Sequence, residues 1–153
     1  MSEKETHRWL TTPQAAKAVL HRAAMVTEIS DRESDLYEKW ASVPEPGFHI
    51  LTRAQQDRAI EEGGGTLSTA PLRLAGTASV ELRGRPGRPA RTAHLVARFG
   101  RVTLKRPRHL AKQGEGLAKT IEVSLVEVTE VGAPPDAEPI LWRLLTTRPL
   151  CQW

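Results

Sequence analysis

The spacing of apolar residues changes period part-way along the chain. Thr12 followed by Pro13 carries the signal of a helix N-cap and first turn. Ala16, Val19, Leu20 and Ala23 then recur at helical spacing, which predicts a short amphipathic helix ending near residue 23. Residues 24–30 are rich in β-branched side chains and run into the charged stretch Asp31-Arg-Glu-Ser-Asp35, the pattern of a strand that ends in a polar tip. A helix is predicted over residues 34–42, with Leu36, Trp40, Tyr37 and Val43 on its apolar side and Pro44-Glu-Pro-Gly47 as its stop. Phe48-His-Ile-Leu-Thr-Arg53 reads as the next strand. Strand, helix and strand in so short a span predict a βαβ unit with parallel strands and a right-handed crossover, so the first part of the chain is expected to be α/β.

Beyond residue 60 the period falls to two. Glu61-Glu-Gly-Gly-Gly65 reads as a flexible break, followed by a short helical piece over residues 67–74. Ala78, Val80 and Leu82 then share one face of a strand, as do Ala93, Leu95, Ala97 and Phe99. Gly100-Arg101 suggests a tight turn into a strand over residues 102–104, and residues 120–131 and 141–147 supply two more. Between the first two of these strands, Arg83-Gly-Arg-Pro-Gly-Arg-Pro-Ala-Arg91 has the composition of an extended, mobile basic loop. The second part is therefore expected to be an antiparallel β region.

Charge changes this picture more than overall composition does. The net charge is only +4, yet residues 83–112 hold ten Lys or Arg and no Asp or Glu, while residues 115–138 are acidic. A block of one sign suggests a polyanionic partner, most commonly nucleic acid inside cells; a solvated loop is the other reading. Cys151, the single cysteine, excludes an intrachain disulfide and a cysteine-based zinc site, which suits an intracellular protein. The 153 residues contain no apolar run of signal-peptide or membrane-span length, so a soluble cytoplasmic protein with no membrane partner is expected.

Among residues that could carry chemistry, Asp31 stands out, because the carboxyl end of a strand in an α/β sheet is where such folds place ligands. It suits a divalent cation such as magnesium, which takes one or two carboxylates and keeps several waters, so Asp31 needs partners from elsewhere. Glu33 and Asp35 are explained without catalysis, as acidic residues in a first helical turn. The five histidines, His7, His21, His49, His94 and His109, show no zinc-ligand spacing. No Gly-x-Ser-x-Gly elbow and no phosphate-binding Gly-rich loop ending in Lys-Ser/Thr occurs, which removes support for serine hydrolases and P-loop enzymes. Taken singly, Trp142 and Arg53 read as a core residue and a salt-bridge residue.

Six stretches, in order, change the reading of these residues. They are Glu5-Thr-His-Arg-Trp-Leu10, Asp31-Arg-Glu-Ser-Asp-Leu-Tyr-Glu38, His49-Ile-Leu-Thr-Arg-Ala-Gln-Gln-Asp-Arg58, Arg85-Pro-Gly-Arg-Pro-Ala-Arg91, Arg101-Val-Thr-Leu104 and Leu141-Trp-Arg-Leu-Leu-Thr-Thr147. Their order and spacing resemble the DDE-type transposases of bacterial insertion sequences, in the group that includes the Tn-five element, from about residue 5 to residue 148. The resemblance implies a partial RNase H-like core over residues 1–60, a basic β-rich insertion over residues 61–138, and a returning core strand with a truncated end over residues 139–153. It implies that Asp31 is the second of three catalytic carboxylates, a ligand of magnesium in a chemistry of phosphodiester hydrolysis and strand transfer at transposon ends. It further implies that Arg53 and Trp142 meet transposon-end DNA, the Trp by stacking on an extruded base. Arg83, Arg85, Arg88, Arg91, Arg101, Lys105, Arg106 and Arg108 are the expected contacts to duplex phosphates.

The first and third carboxylates of that family would fall outside the matched stretches, as would the region through which its members dimerise. The chain is thus expected to keep DNA binding and to be inactive as an enzyme alone. A non-catalytic DNA-binding or interfering module, and a remnant without function, are the alternatives.

Overall fold

The computed structural model describes residues 3–111 and 116–150. Its elements are helix α1 (Glu3–Val19), strand β1 (Val26–Ser30), helix α2 (Tyr37–Ser42), and strands β2 (Phe48–Arg53), β3 (Arg73–Leu82), β4 (Arg91–Lys105), β5 (Thr120–Val131) and β6 (Leu141–Thr146), with short 3-10 turns between them. All six strands join one sheet in the order β1-β2-β6-β5-β4-β3. The expected class, α/β with a partial RNase H-like core, is overturned: strand accounts for 43% of the chain and helix for 22%, and the sheet curls into a half-barrel. The β1-α2-β2 unit does pair in parallel, Val26 opposite Phe48 through Ser30 opposite Thr52. All other pairings are antiparallel. One crossover is too little to set the class when long antiparallel strands extend the same sheet.

β6 joins the two parts. It pairs antiparallel with β2 on one side, Arg53 opposite Leu144, and with β5 on the other, Leu144 opposite Val126. The sheet therefore runs unbroken past residues 60 and 138.

The core lies on one face of this sheet. Tyr37 and Trp40 from α2 and Val43 just after it meet Phe48 and Ile50 of β2, Val102 and Leu104 of β4, Val123 and Leu125 of β5 and Leu145 of β6. Ile60 and Leu67, from the segment after β2, close the cluster. Burial alternates strictly along β2, as a half-buried strand requires. β4 instead changes sides: Ala93 and Leu95 are buried near its start, Val102 and Leu104 near its end, and the odd offset from Leu95 to Val102 puts the two pairs on opposite faces.

Local expectations fail where tertiary contacts outweigh them. The Thr12-Pro13 signal marks no helix start; α1 begins at Glu3 and contains Pro13. Proline costs that helix a backbone hydrogen bond, but Leu10 and Ala16 pack against the core and Lys17 pairs with Glu45 at 2.9 Å, which holds α1 across the break. Val19 and Leu20, part of the predicted apolar stripe, are exposed. The helix expected over residues 34–42 begins at Tyr37, after a 3-10 turn at Arg32–Ser34, and the helical piece after residue 67 is a 3-10 turn at Leu67–Thr69. Gly100 makes no turn, because β4 continues through it. A Cβ there would lie 3.1 Å from the Pro71 carbonyl, so the glycine permits close passage of the incoming chain. Nor is residue 61–65 a loose linker: Gly63 and Gly64 take positive φ in a tight turn. The Glu61 amide donates to the Thr103 carbonyl at 2.9 Å and the Glu62 carboxylate accepts the Thr103 amide, so this segment covers the part of β4 that β3 leaves open.

Beneath the β1-α2 turn lies a buried charge cluster. Asp35 accepts hydrogen bonds from Trp40 Nε1 at 3.1 Å, the Gln55 amide at 2.9 Å and Arg58 Nε at 2.9 Å. Its carboxylate is thus structural, tying α2 to the chain beyond β2, and helix-dipole compensation is not its main role. Removing one member of a buried pair strands the other charge and costs about 3–5 kcal/mol. Asp35→Ala should lose roughly that much stability in chemical denaturation, and a loss under about 1 kcal/mol would show that water enters and solvates Arg58.

Candidate nucleic-acid interface

Strand register brings distant residues to one end of the sheet. Ser30 lies opposite Thr52, so Asp31 leaves β1 at the level of Arg53. Arg53 is opposite Leu144, and Trp142 follows two positions along β6 on the same face. Two residues of strand span roughly 7 Å. Trp142 is 43% exposed, so its indole is open to a ligand rather than packed in the core. Asp31 is exposed and caps the following 3-10 turn, one oxygen accepting the Arg32 amide at 2.7 Å.

A cleft of about 160 Å³ opens at this end, lined by Arg32, Arg53, Gln55, Gln56, Asp57, Leu141 and Arg143. Arg143 is held by Glu127 at 2.8 Å. Among the described residues no ion pair occupies Arg32 or Arg53, which leaves two guanidinium groups for an anion. Asp57 is the opposing charge at the rim. Its carboxylate is taken up by the Ser68 amide at 2.8 Å, Ser68 Oγ at 2.7 Å and Thr66 Oγ1 at 2.8 Å. Partial burial works against its charge, but those donors outweigh it and hold its pKa below the ordinary Asp value. Arg32 and Arg143 were not singled out as site residues in the sequence; only their adjacency to Asp31 and Trp142 signalled them.

The sequence-predicted basic residues divide into two groups. Arg91 forms a two-pronged pair with Glu130, Arg101 pairs with Glu122 at 2.7 Å, and Lys105 lies 3.6 Å from Glu61. Arg106 donates to the Leu117 carbonyl at 2.9 Å. Arg83, Arg85, Arg88 and Arg108 are exposed, with no such partner among the described residues. Lys112 lies outside the described residues. The stretch expected to be a mobile loop is instead the closed end of the β3-β4 hairpin: the Arg85 and Arg88 backbones exchange hydrogen bonds of 2.8 Å, and Pro86-Gly87, with Gly87 at φ 76°, form the turn. Proline presets the first turn position and glycine supplies the positive φ of the second. From Phe99, which shares a rung with Arg53 through Leu144 and Val126, β4 reaches back to Arg91 over roughly 27 Å. The hairpin therefore projects beyond the Asp31 end of the sheet, with Arg83, Arg85 and Arg88 at its tip.

The larger cleft, about 460 Å³, lies over β3, β4 and β5 between Arg73, Phe99, Arg101, Ser124 and Leu150, away from Asp31. The donor set at Asp31 does not fit the two-ion centre that the resemblance implies. Among the described residues no three His, Cys, Asp or Glu side chains converge on a common point, and no step through a metal is assigned to this chain. No helix among them is long and apolar enough to cross a membrane. No protein-family model matches the chain.

The Asp57 cluster yields a pH dependence. A carboxylate whose folded pKa is depressed contributes stability that is fully present above its unfolded pKa, about 3.9, and is lost as pH falls through the lower folded value. Asp57→Asn should flatten the decline of stability below about pH 4 while leaving the slope near neutrality unchanged. An identical acid limb in both proteins would remove Asp57 from the account.

Proposed function

We propose that the chain is part of an insertion-sequence transposase and that it binds DNA without cutting it alone. The supporting observation is the convergence of Asp31, Arg53 and Trp142, drawn from three separated segments, at one end of the sheet beside the arginine-lined cleft. The proposal rests on the ordered motifs and this convergence; the fold class lends it nothing.

In this reading a phosphodiester sits in the cleft between Arg32 and Arg53, and an unpaired base stacks on the exposed face of Trp142. The β3-β4 hairpin has the width of a two-stranded ribbon, which a DNA major groove admits, and its three unpaired arginines meet phosphates. Asp31 contributes one carboxylate to a catalytic set whose other members this site does not supply. A non-catalytic DNA-binding module is the second reading, and the unpaired arginine tip favours it independently of Asp31.

Titration of duplex DNA at several salt concentrations tests the interface. Affinity should fall steeply with salt, and replacing Arg83, Arg85 and Arg88 with Gln should reduce the log–log slope by as much as about 3, since each phosphate contact contributes about 0.9. An unchanged slope leaves the tip as a solvated turn. In the same titrations, Trp142→Ala should weaken binding of an oligonucleotide with an unpaired base by roughly 1–3 kcal/mol and leave a fully paired duplex nearly unaffected. Equal loss on both would remove the stacking role.

Transposon-end DNA with magnesium should remain intact in the presence of the isolated chain. Magnesium-dependent cleavage that disappears in Asp31→Ala would overturn the claim that it does not cut alone.

A further inference from the structure

Lys39, on α2, is fully buried, an unusual position for an ammonium group. Its Nζ donates to Glu28 Oε1 at 2.9 Å, Ser30 Oγ at 3.1 Å and Ser34 Oγ at 2.5 Å. Three donors thus meet three partners. The Trp9 ring of α1, its centroid 5.7 Å away, covers the charge. Ser30 directly precedes Asp31, and Ser34 closes the 3-10 turn that Asp31 caps, its amide donating to the Asp31 carbonyl at 3.0 Å. Ser30 Oγ also contacts Ser34 Oγ at 2.7 Å and Thr52 Oγ1 at 3.0 Å, the residue before Arg53.

We infer that Lys39 is the positioning residue of the candidate site: it locks the turn that presents Asp31 and, through Ser30 and Thr52, fixes that turn against the strand end that presents Arg53. The importance of this lock rests on the DNA-binding reading; its existence does not. A buried lysine is a costly way to fill space, since an apolar side chain of similar volume avoids the desolvation of two charges. What the ion pair and its hydroxyl network add is a single hydrogen-bonding geometry across β1, the 3-10 turn, α2 and β2. Asp31 is itself exposed, so it takes its place from the residues on either side. Ser34, the serine nearest the ammonium, is fully buried, so its contact with Lys39 is a structural link.

The test uses the full chain and two variants. Ser34→Ala cuts the link to the turn while leaving Lys39 paired with Glu28. The double variant Lys39→Met/Glu28→Gln removes both charges together, so neither is stranded. Amide hydrogen exchange and chemical shifts of residues 31–35 and 52–53 are measured alongside global unfolding by denaturant. The expected result in both variants is exchange faster on the order of tenfold at the Asp31 turn, with shift changes reaching Arg53, beyond anything the global loss accounts for. A packing role alone would raise exchange across the molecule in proportion to global stability. Unchanged shifts and exchange at residues 31–35 in Ser34→Ala, which is expected to fold, would overturn the proposal. Because these readouts use the free protein, they decide the role of Lys39 whether or not DNA binds. The titrations of the unsubstituted chain decide the DNA-binding reading separately.

Discussion

β6 pairs with β2 along one edge and β5 along the other, and through that double pairing the two halves of the chain share one sheet. Register is the governing constraint: one face of these central strands is buried, and a slip of one residue would turn Leu145 out of the core and Trp142 into it. The hydrophobic cost of that slip holds Arg53, Leu144 and Trp142 in their relation. Asp31 joins them because β1 pairs with β2 in parallel and ends at the same level. The site is a consequence of core burial on the opposite face.

Polar clusters then hold the turns that the sheet leaves free. Asp35 and Arg58 tie α2 to the chain leaving β2, Asp57 gathers the Thr66–Ser68 turn, and Lys39 joins Glu28 to the serines around Asp31. Each cluster connects segments distant in sequence, so each fixes tertiary position rather than local conformation. They crowd the end of the sheet that carries Asp31 and Arg53, whereas the hairpin tip has only its own turn geometry and solvated arginines. A rigid platform beside a projecting basic ribbon suits contact with an extended polyanion.

The sheet face opposite the main core bears Ala78, Val80, Leu82, Phe99, Val128 and Trp142, exposed or half-buried, with only Ala93 and Leu95 buried among these neighbours. The alternation expected along β3 is present in the register, yet Val80 is 41% exposed. Period-two patterning reports which side chains share a face; whether another layer covers that face depends on the rest of the molecule.

By itself the sequence determined the strands at residues 48–53 and 120–131, the apolar side of the helix after Asp31, and Asp31, Arg53 and Trp142 as residues of interest, because periodicity, breakers and motif order act within a short window of chain. Only the tertiary structure decided the rest. α1 persists through Pro13 because its neighbours pack on the core, β4 runs straight through Gly100 because Pro71 passes beside it, and the basic residues divide into paired and unpaired sets because Glu61, Glu122 and Glu130 meet some and not others. The fold class belonged to that second group. A βαβ pattern is local, but how many antiparallel strands extend its sheet is settled by pairing between residues nearly a hundred positions apart, and that information is carried by the core as a whole.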